Sequence, residues 1–115
     1  MLLAANAQAG GVDHPQPLVR IALLEIYPEQ LQAFKDAVTK EMAESVKVEP
    51  GVLALYSVAV KDKPNTLYFF EIYTDQAAFE AHMQAPHFQE YRDTTSTMIK
   101  SRQLMETDVV QMNSK

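Results

Sequence analysis

Apolar residues change their spacing along this chain, and each spacing points to an element. Leu18 to Tyr27 (LVRIALLEIY) is an aliphatic run held between Pro17 and Pro28, which reads as a first, largely buried strand. From Leu31 the apolar positions move to three- and four-residue steps. Phe34, Val38, Met42 and Val46 follow, with Gln32, Lys35, Asp36, Lys40, Glu41 and Glu44 between them. That period predicts an amphipathic helix, its stripe toward a core and its acidic residues forming a solvated face. Pro28 suits the first helical position, where its missing N–H costs nothing, and Glu29 suits the positive end of the helix dipole. Glu49-Pro50-Gly51 stops the helix.

Val52 to Val60 (VLALYSVAV) predicts a second strand and Thr66 to Tyr73 (TLYFFEIY), dense in aromatic and β-branched residues, a third. The five residues Lys61-Asp62-Lys63-Pro64-Asn65 between them read as a polar turn, which makes the pair an antiparallel hairpin. Thr74-Asp75 offers a helix N-cap for a short helix through Met83 that carries Ala78, Phe79 and His82. Ala85-Pro86 interrupts it, and Pro86 can restart a helix along which Phe88, Tyr91, Thr95 and Met98 keep the inward spacing. Arg102 to Met112 has weaker strand character. The order β-α-β-β-α-β is the α+β, ferredoxin-like arrangement with an antiparallel sheet. Two helical segments cover only one face of four strands. The other face, apolar in water, calls for a partner, and a symmetric homodimer is the economical one.

The 115 residues make one domain, read as 18–112 behind an N-terminal arm at 1–17. A net charge of −5 with no cluster of Lys and Arg gives little to bind polyanions, so neither nucleic acid nor an anionic membrane is an expected partner. No apolar run approaches the roughly 20 residues of a membrane span. There is no cysteine, which removes disulfides and thiolate chemistry. In the arm, Leu2-Leu3-Ala4-Ala5 precedes Ala5-Asn6-Ala7 and Ala7-Gln8-Ala9, two small-x-small patterns. They resemble the remnant of an export signal and favour a periplasmic or exported protein over a cytoplasmic one, although no basic residue precedes Arg20.

Three residues stand out chemically. Glu71 shares one strand face with Leu67, Phe69 and Tyr73, while its chain neighbours Phe70 and Ile72 point the other way. A carboxylate in that setting is partly desolvated, which raises its pKa toward the range of a general base. It reads equally as a sheet-edge residue or as the partner of an arginine across the dimer. His82 and His87 stand five apart across Ala85-Pro86, whereas a metal pair on one helix face wants a spacing of four, and no Asp, Cys or third His sits at ligand spacing. No metal is therefore expected, and either histidine reads also as a hydrogen-bonded core residue. His14 has no visible partner. No glycine-rich elbow surrounds Ser57, Ser96 or Ser101, and no Gly-x-Gly-x-x-Gly or P-loop occurs, so neither a serine hydrolase nor a nucleotide cofactor is indicated.

Glu49-Pro50-Gly51-Val52-Leu53 leading into a strand, the strand end Phe70-Glu71-Ile72-Tyr73, and Ala78-Phe79-Glu80-Ala81-His82 followed by Pro86-His87-Phe88 resemble the antibiotic-biosynthesis monooxygenase family. The resemblance runs from about Val19 to Val110. It implies a ferredoxin-like dimer whose two sheets form a shared α/β barrel, with a pocket between the sheet and the helices of one subunit. The family includes cofactor-independent oxygenases of quinols and polyketide aromatics, haem-degrading enzymes and a phospho-autoinducer isomerase. Carried over by motif, Glu71, Tyr73, His82, His87 and Phe88 fall at pocket positions. Tyr56 and Tyr91 join them by alternation and helical spacing. Haem degraders use an asparagine in the first strand and a tryptophan in the third. Here Leu18 to Tyr27 has no asparagine, the third strand ends in Tyr73 and the chain has no tryptophan, which disfavours that activity.

The expected activity is oxidation of a small quinol or hydroxylated aromatic by O2 without cofactor or metal. Glu71 or His82 would accept the hydroxyl proton. Tyr56, Tyr73 and His87 would orient oxygens, and Phe79, Phe88 and Tyr91 would wall the ring. An isomerase working by proton transfer, or a protein that only binds a small molecule, would use the same pocket.

Overall fold

A computed structural model describes residues 16–115. The signal-like part of the arm and His14 lie outside the described residues. Four strands, β1 (Leu18–Ile26), β2 (Val52–Val60), β3 (Lys63–Tyr73) and β4 (Ile99–Glu106), form one sheet in the order β2-β3-β1-β4. Every neighbouring pair is antiparallel. Helix α1 (Leu31–Val48) follows a 3-10 turn at Pro28–Gln30, and α2 (Gln76–Gln84) and α3 (Pro86–Thr95) connect β3 to β4. This is the ferredoxin-like α+β fold that the pattern predicts, with the second helix divided in two. The sheet is open within the chain, so a barrel requires a second copy.

All three helices lie on one face. Beneath them Ala22, Leu24 and Ile26 of β1 and Leu67 and Phe69 of β3 meet Phe34 and Val38 of α1 in the core. Asp75 caps α2, its carboxylate accepting the Ala78 N–H at 2.8 Å, and Pro86 occupies the first turn of α3. Gly51 fixes the approach of β2 to α2, for a methyl group there would overlap the Ala78 side chain. The Thr74 N–H also donates to the Gly51 carbonyl at 2.9 Å, tying the start of β2 to the end of β3.

Four expectations need correction. The polar turn over 61–65 is only Lys61-Asp62, because Lys63, Pro64 and Asn65 already belong to β3. Pro64 is tolerated because the pairing with β1 begins only at Thr66, so its missing N–H breaks no rung there. The last strand is Ile99–Glu106 rather than 102–112. Its pairing with β1 runs out at Arg20↔Glu106, and the Thr107 hydroxyl then takes the Val19 carbonyl at 2.6 Å. On α1 the buried positions are Phe34, Val38, Glu41 and Ser45, so Val46 is exposed and Glu41 is not part of the solvated face. Finally, β3 is an inner strand, which overturns the edge reading of Glu71.

Candidate active site

Strand alternation sends Arg20, Glu71 and Tyr73 toward the helices on the face that also carries the core, with Arg20 directly opposite Glu71 across β1 and β3. Over them lies a cavity of about 250 Å³, bounded by the sheet below and by α1, α2 and α3 above. A void of about 150 Å³ suffices for benzene in an apolar protein core, so this one holds a substituted ring. Its walls are mainly Phe69, Phe79, Phe88, Tyr91 and Met42, and its polar groups include Glu41, Glu71 and His82. Apolar walls with few convergent polar groups are the usual build of a small-molecule site.

His82 is the hub of the polar cluster and only 3% exposed. Its Nδ1 meets Glu49 Oε2 at 2.8 Å, and its Nε2 faces Glu41 Oε2 at 3.4 Å. The same Glu49 oxygen lies 2.6 Å from His87 Nε2. Glu49 can reach both rings because α1 ends beside it, where its N–H donates to the Ser45 carbonyl at 3.0 Å, and because Gly51 lets α2 come close. Burial raises the Glu41 pKa, opposed by the Ser45 hydroxyl that donates to it at 2.6 Å. Glu49 behaves oppositely. Burial pushes its pKa up, but hydrogen bonds from His82 and His87 outweigh that and hold it below the ordinary carboxylate value.

Glu71 stands apart from this chain of contacts. Burial raises its pKa, only partly offset by the Tyr73 hydroxyl, which donates to Glu71 Oε1 at 3.1 Å, and by the nearby charges of His82 and Arg20. Burial and the adjacent Glu71 carboxylate raise the Tyr73 phenol far above its ordinary value, so it remains a donor. Tyr91 is pushed up to about 12 by burial and by Glu41. The Arg20 guanidinium lies 4.3 Å above the Phe79 ring.

Of the residues expected from sequence, Glu71, His82, Phe79, Phe88, Tyr91 and Tyr56 line the cavity. Tyr56 does so from the strand opposite Phe70, whose side chain lies on the other face of the sheet from Glu71, and it is 60% exposed. Tyr73 is fully buried outside the lining and packs behind it, against Phe79 and His82, with its hydroxyl on Glu71. His87 faces a second cavity between α1 and α3 and joins the cluster through Glu49. Sequence reasoning missed Glu41, Ser45, Glu49 and Arg20. The steps of four, three and four from Phe34 through Val38 and Glu41 to Ser45 are a helical stripe like the apolar one. Their polarity hid it.

Glu41, His82 and His87 also offer three donor atoms within 4.8 Å of one another, a set that could hold a metal ion. The third donor comes from α1 through space, where spacing along the chain could not reveal it. Two imidazoles and a carboxylate are a donor set that suits zinc or ferrous iron.

The profile of the antibiotic biosynthesis monooxygenase family matches residues 17–94. A candidate antibiotic biosynthesis monooxygenase from Bacteroides thetaiotaomicron is 35% identical, superposes with a TM-score of 0.83, and is matched over 95% of its chain by 87% of this one. A candidate monooxygenase from Lactobacillus acidophilus is also 35% identical, with a TM-score of 0.76 over 77% of this chain and 42% of its own. An uncharacterised Synechocystis protein is 24% identical over 83 residues, which are 72% of this chain. The chain spans 56% of that curated relative's length.

Proposed function

Because the chain belongs to the antibiotic biosynthesis monooxygenase family, we propose that it oxidises a small quinol or hydroxylated aromatic with O2, with Glu71 as the base. The unit responsible is residues 18–112. The observation that carries the reading is a carboxylate of raised pKa on the floor of an apolar, ring-sized cavity. A base works best when its pKa lies near the operating pH, and burial moves Glu71 in that direction. His82 is less free to act as the base, since both its nitrogens already face carboxylates. It holds Glu41 and Glu49 in place and bounds the cavity beside Glu71.

Glu71 takes the proton of the substrate hydroxyl, and Arg20, opposite it in the sheet, stabilises the resulting phenolate. The electron-rich ring then reduces O2. One oxygen atom ends as a carbonyl on a ring carbon that gives up its C–H proton, and the other leaves as water with that proton and the one returned by Glu71. All four electrons that O2 receives come from the substrate, so no external reductant is consumed. The Tyr73 hydroxyl steadies Glu71 throughout.

Closure of the bare sheet face against a second copy of the chain completes this reading. Tyr56, Phe70 and Val58 are all at least 40% exposed there, and no helix covers them. A metal-assisted version of the reaction is supported by one observation, the Glu41, His82 and His87 donor set.

Oxygen uptake by metal-stripped protein against a panel of quinols and hydroxylated aromatics tests the proposal. Uptake well above autoxidation, unchanged by added Fe(II), Mn(II) or Zn(II), is the expected result. Uptake only after metal addition selects the metal-assisted version. Turnover without uptake identifies an isomerase, and binding without turnover identifies a binding protein.

A further inference from the structure

The chain has three arginines, Arg20, Arg92 and Arg102, and all three line the cavity that contains Glu71. None of its seven lysines does. In a protein of net charge −5, the strongest and most directional cations are gathered at one site. Arg20 belongs to the hydroxyl end of the site: it stacks on Phe79, reaches Glu106 at 3.6 Å and faces Glu71 across the sheet. Arg102 stands on the same face of β4 opposite Leu24, four residues along β1 from Arg20. At about 3.3 Å per residue that is roughly 13 Å along the strand. Arg92 enters from α3, and its Nε is 3.8 Å from the exposed Asp93 beside it. Among the described residues, Arg102 is in no ion pair. Arg92 and Arg102 are both exposed, so they mark the mouth of the cavity, while Glu71 marks its interior.

A guanidinium at the mouth of an apolar cavity favours a planar anion that it can hold through two parallel hydrogen bonds. We infer that the substrate is an aromatic acid, a hydroxylated ring whose carboxylate is held by Arg92 and Arg102 while its hydroxyl reaches Glu71. The hydroxyl end of this inference rests on the function proposed above, whereas the carboxylate end rests on the arginines alone. The arrangement also sets the order of binding. The acid is drawn to the positive mouth of an otherwise negative protein, and the ring then slides between Phe88 and the sheet.

Calorimetric titration with 2,5-dihydroxybenzoate, hydroquinone and inorganic phosphate tests this. The acid should bind about tenfold or more tightly than hydroquinone, the scale of a charge-assisted pair at a partly enclosed site. That ratio should fall toward one in Arg92→Gln and Arg102→Gln, and Arg102→Lys should recover part of it. Both positions are exposed, so an unchanged unfolding midpoint will show the variants to be folded. Equal affinities for acid and phenol, or a ratio that survives both substitutions, would overturn the inference. So would phosphate that displaces the acid with equal affinity, since it would show a site for any anion. Hydroquinone bound and oxidised while the acid is refused would sink the acid and leave the oxidase standing. The acid bound through Arg92 and Arg102 with no oxygen uptake would do the reverse.

Discussion

Along β3, Leu67, Phe69, Glu71 and Tyr73 lie beneath the helices, while Tyr68, Phe70 and Ile72 face the other way with no element above them. The covered face is the one that carries charge. Glu41, Glu71 and His82 sit there in positions where water is scarce, each with a polar partner close by. The bare face holds Tyr56, Val58 and Phe70 and has no such cluster. Burial therefore acts differently on the two faces: on the covered side it raises the pKa of the carboxylates Glu41 and Glu71, and on the bare side it leaves apolar surface exposed. The two should fail separately. A substitution on the covered side should remove turnover and leave association intact, and one on the bare side should do the converse first.

The largest effect is expected from Phe70→Asp on the bare face, which would bury an unpaired charge in the proposed interface. Dimer association measured by sedimentation should weaken on the order of 100-fold or more. A wild-type protein already monomeric, near 12.9 kDa at micromolar concentration, removes the assembly role of that face altogether. Next is the hub. His82→Ala leaves Glu41 and Glu49 without their shared partner and opens the wall beside Glu71, and turnover should fall about tenfold or more while sedimentation is unchanged. If His82→Ala keeps wild-type turnover, the polar cluster around it does not position the site.

A smaller loss is expected at the hinge between the regions. Gly51→Ala forces a methyl group against Ala78 and should cost about 1 to 3 kcal/mol in chemical denaturation. It should also reduce turnover, because Glu49 and α2 move apart. An unchanged midpoint would show that β2 and α2 have room to spare.

The smallest effect is in the pH dependence of stability, where Glu49 and Glu71 have opposite signs. The folded pKa of Glu49 is lowered, so its contribution is present above the ordinary value of 4.5 and is lost as pH falls through the lower folded value. The folded pKa of Glu71 is raised, so the native state binds the extra proton and stability declines as pH rises from 4.5 through the raised value. Glu71→Gln should thus flatten the decline toward neutral pH, and Glu49→Gln should flatten the loss in acid. Thermal unfolding between pH 3 and pH 8 reads both, and identical profiles for the two variants would contradict the assignment.

Legibility in the sequence divides along the same line. The element order and the alternation of β3 are readable because apolar periodicity reports which side of a strand or helix is buried. The hairpin length was not, since Lys63, Pro64 and Asn65 look like a turn and enter the strand only because β2 pairs alongside. Glu71 and His82 stand out as polar residues in apolar surroundings. Glu41, Ser45 and Glu49 do not, because a helix with a polar face gives no local sign that part of it turns inward. Their role follows from meeting α2 in space. Arg20 is hidden for a similar reason, its opposition to Glu71 being a matter of strand register, which the chain does not spell out.

The most direct test of the central claim, that burial makes Glu71 the proton acceptor, is the pH profile of oxygen uptake in the wild type and in Glu71→Gln. The account predicts an acid limb in wild-type kcat/KM with an apparent pKa above 4.5, and its disappearance, with most of the activity, in Glu71→Gln. A variant that keeps both the rate and the limb would contradict it and move the base elsewhere.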